Sequence, residues 1–591
     1  MNQSPDVQER TEERDGMLVT WHAPITVDDG TVLRADVYRP PDGLAHPVIL
    51  TYGVYGKGLS FQEAYALQWQ KMVEDHPEIE RGSSNRYQNW ETTDPERWVP
   101  HGYAVVRVDS RGAGWSPGLL ETNSPRETLD IYHCIEWAAA QPWSNGKVGM
   151  LGISYYASNQ WRVAALEPPH LAAIIPWEGR ANNYRDGLYH GGIYCEFQAK
   201  WFPIQVKTVQ YGVGERGRRN PNTKEPVAGP VTLSDEELKA NRLDRATEIK
   251  KHPLDDEWHQ ATNPDWSRVR VPLLSAANWG GQGLHPRGNF EGFSRAASTD
   301  KWLEAHGDTH WSLFYADHGL KLQRAFFDHF LKGLDNGWES RPRVQLNIRY
   351  PGERFVLRME NEWPLARTSW TRYHLDAQDS SLAPSPPAEA AQVSYSALGD
   401  GVDFSLPVLE RETEITGPIS ARLFISSSTS DADLFLVLRA FDPQGEELTF
   451  QGALDPNTPI AQGWLRASHR KLDPNRSLPH QPYHPHDEVE PLEPGQIYEL
   501  EIEIIPTCIV LPAGFTLRLT VRGRDYEYQG PLTEFARSFH YAHRGVGPFT
   551  HSDPETRPPA VYGGEVTIHT GPDHPSSLLL PIIPPSSPAA G

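Results

Sequence analysis

The chain has 591 residues, 38% of them hydrophobic and 10% aromatic, enough to bury more than one core, and its length suggests two to four domains at roughly 150–200 residues each. A net charge of −22, from 77 acidic against 55 basic residues, argues against nucleic acid and anionic membrane surfaces as partners. Three cysteines (Cys134, Cys195, Cys508), far apart and odd in number, argue against a disulfide framework and a local metal motif.

In chain order, residues 17–55 alternate as strands (MLVTWHAPITV, TVLRADVYRP, HPVILTYGVY), with turn signals at DDG and PPDG. A polar segment at 59–98, helical in FQEAYALQWQKMVEDH, is expected to be an insertion over the sheet's edge. HGYAVVRVDSRGAGWSPG (101–118) is an apolar strand ending in a turn, and SPRETLDIYHCIEWAAAQPW (124–143) has the spacing of an amphipathic helix. GMLGISYYASNQW (149–161) then reads as a buried strand turning sharply at Ser154 into a helix, the geometry that exposes a nucleophile. LAAIIPWEG (171–179) is another strand, so strand and helix alternate as in a parallel sheet. Residues 180–265, including EELKANRLDRATEIKKH, lose that alternation and read as a largely helical cap. The core resumes with strand VPLLSAANW (271–279), a helix near 289–300, strand KWLEAHG (301–307) and helix HGLKLQRAFFDHFLKG (318–333). From about 345, short alternating strands between Pro, Gly, Asp and Ser describe a β-sandwich. The tail PIIPPSSPAAG is expected to be disordered. The polar start, MNQSPDVQERTEERDG, lacks an apolar leader region, and no apolar run nears the ~20 residues of a membrane span, so a cytoplasmic location is expected.

The run IEWAAAQPWSNGKVGMLGISYYASNQW (135–161) resembles the cocaine esterase and X-Pro dipeptidyl-peptidase group of α/β-hydrolases (CocE/NonD, S15-like), whose elbow is G-x-S-Y-x-G. Ser154 and Tyr155 fit it, with Ala157 in place of the last glycine. The resemblance implies an α/β fold: an α/β-hydrolase core at 1–179 and 266–344, a mainly helical cap at 180–265, and a C-terminal jelly-roll β-sandwich with the Pro-rich tail at 345–591. It also implies a serine hydrolase acting through an acyl-enzyme.

The base of an α/β-hydrolase lies in the loop after the last core strand, which favours His310 over His306, still in the strand, and His318. Relatives place the acid in a Trp-x-Asp turn after the strand equivalent to PLLSAANW, yet this chain has Asn278, Trp279, Gly280, Gly281 and Gln282, with no carboxylate. Glu178, one strand earlier, is the best substitute and keeps the order Ser, Glu, His; the rival reading pairs Glu178 with Arg180 or Arg185. Asp308 is too close to His310 in sequence to orient it, and Asp317 begins the next helix. By the resemblance, the oxyanion is held by the Tyr55 hydroxyl, in TYGVYGKG, and the Tyr155 amide. Tyr52 is assigned to the strand, and Lys57 and Gly58 to a solvated turn. Trp177 and Trp279 are expected to line the substrate site. No cofactor and no metal are called for.

The expected substrate is a small ester or amide. If Glu178 orients His310, fewer carboxylates, Glu196 and Asp186 among them, remain to bind a substrate ammonium, which favours an esterase over an X-Pro dipeptidyl-peptidase or an α-amino acid ester hydrolase or acylase. The reading from another class is a non-catalytic carbohydrate- or partner-binding protein with a degenerate triad. Exposed strand edges of the sandwich are compatible with a homo-oligomer.

Overall fold

The apolar runs of the N-terminal half become one eleven-stranded sheet in a computed structural model, which describes residues 7–585. Its strands are β1 (Arg10–Arg14), β2 (Met17–Thr26), β3 (Val32–Arg39), β4 (His46–Gly53), β5 (Ala104–Asp109), β6 (Ser144–Ile153) and β7 (Leu171–Trp177). After a separate hairpin, β8 (Tyr189–His190) and β9 (Ile193–Tyr194), come β10 (Leu273–Asn278), β11 (Lys301–His306), β12 (Val344–Tyr350) and β13 (Arg354–Glu360). The order across the sheet is β1-β2-β3-β5-β4-β6-β7-β10-β11-β12-β13. From β5 to β12 neighbours run parallel. Such strands are covered on both faces, so β4 and β5 read as nearly unbroken apolar runs. Because they run parallel, β6, β7, β10 and β11 all end on one edge, and the residues just past those ends meet there.

The helix Pro125–Ala139 shows how local sequence sets an element. Ser124 accepts a hydrogen bond from the Glu127 amide at 3.2 Å, proline occupies the first turn, and Ile131, Cys134, Ile135 and Ala138 form the buried stripe. The strands at 344–350 and 354–360 extend this first sheet, so the second sheet begins at Ser369, later than the change of sequence texture near 345 suggests.

Two further expectations change. Residues 59–98 lie across the turn at Ser154: Phe61 and Tyr65 pack on Trp90, Trp90 packs on Trp311, and the Ile153 amide donates to the Glu91 carbonyl at 3.1 Å. Residues 180–265 hold the β8–β9 hairpin and short helical pieces; EELKANRLDRATEIKKH breaks into Asp235–Ala240 and Arg245–Lys251.

The C-terminal strands form a twelve-stranded sheet. Its long strand Thr413–Ser427 pairs with Tyr498–Leu511, with Glu565–Thr570 and with Ser577–Ile583, and the last of these also pairs with Ser369–Asp376, which closes the sheet into a barrel-like arrangement. Pro581–Ile583 of the tail belong to that last strand, whereas 586–591 lie outside the described residues. Among the described residues no helix is long and apolar enough to cross a membrane.

Candidate active site

Ser154 sits between β6 and the helix Tyr155–Ala164 with φ 59° and ψ −107°, a conformation that costs about 1–3 kcal/mol for a residue with a side chain. Neighbouring bonds hold it: its amide donates to Trp177 O at 3.1 Å, and its carbonyl accepts from the Ala157 and Ser158 amides at 3.1 and 2.8 Å. The bulk of Tyr156 fits because two glycines make room. A Cβ on Gly152 would lie 2.5 Å from Tyr156 Cβ, and one on Gly53 would lie 2.5 Å from the Tyr156 ring. Ala157, where the related pattern has glycine, packs on Gly179, whose own Cβ would come within 2.7 Å. The methyl is therefore accommodated from the opposite side.

β7 and β10 are neighbours with Trp177 opposite Ala276, so Glu178 and Asn278 emerge side by side. Glu178 is fully buried and also has a positive φ, 50°. Its Oε2 accepts from His310 Nδ1 at 2.5 Å, and its Oε1 from His306 Nε2 at 3.1 Å and Asn278 Nδ2 at 3.2 Å. Asn278 is thus a donor to the carboxylate one strand away. Arg185 instead pairs with Asp255 at 3.3 Å. Asp308 faces His76 at 2.7 Å and Asp317 faces Arg97 at 2.7 Å, both away from His310.

Burial opposes ionisation of Glu178, but the charges of and bonds from His310 and His306 outweigh it and hold its carboxyl down to about 2. Burial also opposes the charge on His310, yet Glu178 on one side and Glu91, 3.2 Å from Nε2, on the other raise it to about 9. His306 is raised to about 10, against burial, by Glu304 and Glu178. Burial pushes Glu91 up to about 6, opposed by His310.

The group within hydrogen-bond distance of Ser154 Oγ is a histidine that the sequence does not single out. His285 Nε2 lies 3.2 Å from Ser154 Oγ, and its ring stacks on His310 with centroids 4.9 Å apart and planes 5° apart. Burial, and then the charge of His310, hold His285 well below the ordinary histidine value, so its ring stays neutral. Its Nδ1 is 4.0 Å from Glu178 Oε2, beyond a hydrogen bond. His285 directly precedes the helix Pro286–Arg295 and carries no strand-end signal; Glu91, in the polar insertion, had none either. Glu178, His285 and His310 bring potential ligand atoms within 4.8 Å of one another, but each is engaged in the contacts above.

Tyr55 is buried against the Tyr155, Tyr156 and Trp201 rings, and its hydroxyl accepts from Trp201 Nε1 at 3.2 Å, leaving its own proton free to donate. Burial, then Glu91, raises the phenol well above its ordinary value, so it stays a neutral donor. Lys57 is not solvated: its ammonium pairs with Asp36 at 2.7 Å and its amide donates to Asp109 at 2.6 Å, which pins the Tyr55 turn. The Tyr155 amide, first in its helix, makes no bond within the helix. The Tyr155 hydroxyl points away, to Glu127 at 2.5 Å.

Ser154, His285, His310, Glu91 and Tyr55 line one cleft, walled by Phe197, Trp201 and Leu284 and, from the C-terminal sheet's side, by Leu454, Phe539 and Pro548. Behind Ser154 it continues into a small lobe with Arg180, Ser158 and Gln198. Two expected lining residues are elsewhere. Trp177 is buried against His306 and Phe314, and Trp279 against Phe290 with Nε1 donating to Asn347 O at 3.0 Å; both indoles complete the core under the strand ends. Asp186 pairs with Arg287 at 2.9 Å and Glu196 accepts from Thr550 and Ser552, so neither lines the cleft.

A parallel sheet of this order, with a serine on a strained strand-to-helix turn and a histidine–carboxylate pair on the neighbouring strand ends, defines an α/β-hydrolase of the serine type. Residues 29–312 match the model of the X-Pro dipeptidyl-peptidase (S15) family and residues 336–579 that of the X-Pro dipeptidyl-peptidase C-terminal non-catalytic domain. A CocE/NonD family hydrolase from Staphylococcus aureus of known structure is 31% identical, with a TM-score of 0.82 over 96% of this chain and 94% of that one. Cocaine esterase from Rhodococcus sp. (strain MB1 Bresler) is 24% identical over 95% of this chain and 97% of its own. An α-amino acid ester hydrolase structure, 16% identical with a TM-score of 0.66 over 98% of this chain and 99% of that one, shares the fold. The chain belongs to the CocE/NonD family of hydrolases and is a serine hydrolase.

Proposed function

We propose that the protein hydrolyses a carboxylic ester through an acyl-enzyme, with Ser154 as nucleophile, His310 as base, Glu178 as the acid that orients it, and the Tyr55 hydroxyl and Tyr155 amide as oxyanion donors. The observation that carries this reading is Ser154 on its strained turn in the same cleft as a histidine whose far nitrogen is bonded to a buried carboxylate. His310 takes the serine proton as Oγ attacks the carbonyl, the oxyanion forms between the two donors, and the leaving alcohol receives the proton from His310. Water activated by the same histidine then releases the acid. Each preorganised oxyanion donor contributes about 2.7–4 kcal/mol.

The aromatic wall supports an apolar group on one side of the ester, and the lobe with Arg180, Ser158 and Gln198 supports a polar group on the other. Asp186 and Glu196 are engaged away from the cleft and Glu91, the carboxylate that lines it, faces His310 at 3.2 Å, which favours an esterase over an enzyme selecting a free amino terminus. In this reading residues 180–265 act as a cap and the C-terminal sheet, as a jelly-roll, closes the cleft. A second reading, in which His285 is the base, rests on its 3.2 Å approach to Ser154 Oγ. It has no carboxylate in hydrogen-bond reach to set its tautomer, which is why His310 is preferred.

The test is treatment with a fluorophosphonate followed by peptide mapping. Stoichiometric labelling at Ser154, with ester hydrolysis lost in parallel, is expected. A folded protein that neither reacts nor hydrolyses aryl esters would overturn the proposal in favour of a binding protein.

A further inference from the structure

A second cluster of buried histidines lies behind the cleft wall, where the β8–β9 hairpin meets the loop at 548–552. His190 Nδ1 and His551 Nε2 are 2.8 Å apart, and these two atoms and Cys195 Sγ all lie within 4.8 Å of one another. All three side chains are at most 3% exposed.

Hydrogen-bond accounting fixes what lies between the rings. His551 Nδ1 is 2.7 Å from Asp525 Oδ1, and the His551 amide donates to the other oxygen of that carboxylate at 2.7 Å, so Nδ1 carries a proton. His190 Nε2 is 3.3 Å from the Asp186 carbonyl, which only accepts, so Nε2 is the protonated nitrogen there. In two neutral rings the inward atoms, His190 Nδ1 and His551 Nε2, are then both bare lone pairs aimed at each other. In that tautomer pair, a proton or a metal ion would relieve the contact.

A shared proton would satisfy the two nitrogens and would not involve Cys195 Sγ. A metal ion uses all three groups. Bonds of about 2.0–2.3 Å in a tetrahedral ion set ligand atoms roughly 3.3–3.6 Å apart, so the two nitrogens, now 2.8 Å apart, would open by about half an ångström to take an ion that Cys195 Sγ also reaches. The outer contacts are those a metal histidine makes, a carboxylate behind one ring and a backbone carbonyl behind the other. We propose that His190, Cys195 and His551 form a site for a divalent transition metal, zinc by ligand type, with Asp525 orienting His551.

The ion would brace the cleft. The Glu196 amide donates to Thr550 O at 2.9 Å, and the neighbours on either side, Phe197 and Pro548, line the wall near Ser154. The ligands are separated by up to 361 positions, which is why no spacing motif marks the site.

The full-length protein is stripped with a chelator and titrated with Co²⁺ alone. One equivalent, with a thiolate-to-cobalt charge-transfer band, is expected; Zn²⁺ should displace it and raise Tm. The band should vanish in Cys195→Ser, persist in His310→Gln, and need roughly 10–100-fold more metal in Asp525→Asn. Cobalt bound without the thiolate band, as ligation by Glu178, His285 and His310 would give, overturns the proposal. So does a wild-type protein that binds no metal, which would leave the shared proton. Because the wild-type spectrum decides by itself, a variant that fails to fold does not blunt the test.

Discussion

Two sets of buried histidines sit on either side of the cleft wall, equally hidden from water and set by their partners to opposite tasks. Around Ser154, His306 and His310 each lie between two carboxylates, Glu304 and Glu178 for one, Glu178 and Glu91 for the other, and both are driven toward the imidazolium against the pull of burial. Behind the wall, His190 and His551 have a carbonyl and one carboxylate on their outer nitrogens and only each other and a thiol within. Burial disfavours charge in both places; what surrounds the ring decides. The first arrangement favours a proton on rings beside Ser154, and the second, in the proposed tautomers, offers lone pairs to a cation.

The comparison breaks most sharply at the two stacked rings, since only one of them has the carboxylate. His310→Gln is expected to lower kcat by on the order of 10⁴ or more, as loss of a triad base does, while His285→Gln loses less than about tenfold. Steady-state kinetics on an aryl ester separate the two readings. A reversed order would make His285 the base and reduce the Glu178–His310 pair to support.

A smaller effect is expected from the second carboxylate on His310. The groups facing that ring are Glu178, Glu91 and the neutral His285. With its pKa raised to about 9, His310 is protonated at neutral pH, so kcat/KM should climb as pH rises toward that value and the free base appears. Glu91→Gln removes one of the charges that favour the imidazolium, so the midpoint should fall toward the ordinary histidine value, giving higher relative activity near pH 7. A profile unchanged by the substitution would mean that Glu91 does not face His310 in solution.

What was legible in the sequence follows the range of the interactions. The turn at Ser154 is local, written in Gly152, Ser154 and the apolar strand before them, and the Tyr55 turn likewise. The nearness of Glu178 to His310 follows from topology, because parallel strand ends share an edge. His285 and Glu91 reach the site from a helix start and a loop whose local sequence resembles any polar connection, and only the packing of Phe61, Trp90 and Trp311 draws Glu91 over the turn. Trp177 and Trp279 were misjudged because a tryptophan at a strand end faces either the cleft or the layer beneath, and alternation alone does not say which. Lys57 looked solvated because its partner Asp36 lies in another strand. The shift of the second sheet's start from 345 to Ser369 has the same cause: β12 and β13 have the texture of short strands but the hydrogen bonds of the first sheet.

The smallest expected effect concerns Asn278, the amide beside Glu178. Asn278 donates to Glu178 Oε1 at 3.2 Å and to the Asp308 carbonyl at 2.8 Å, and its own oxygen accepts from the Gly280 amide at 2.9 Å. Asn278→Asp keeps the acceptor and loses both donations, at about 1 kcal/mol each, and sets one carboxylate against another. Two such groups do not both ionise at this distance in a buried site, so the pair takes up a proton near neutral pH. Glu178 Oε2 still faces His310, and the shared proton restores a donor toward Oε1, so kcat/KM at neutral pH should fall less than tenfold while Tm drops by several degrees. A loss of a thousandfold or more would show that the neutral amide of Asn278 is what keeps Glu178 ionised.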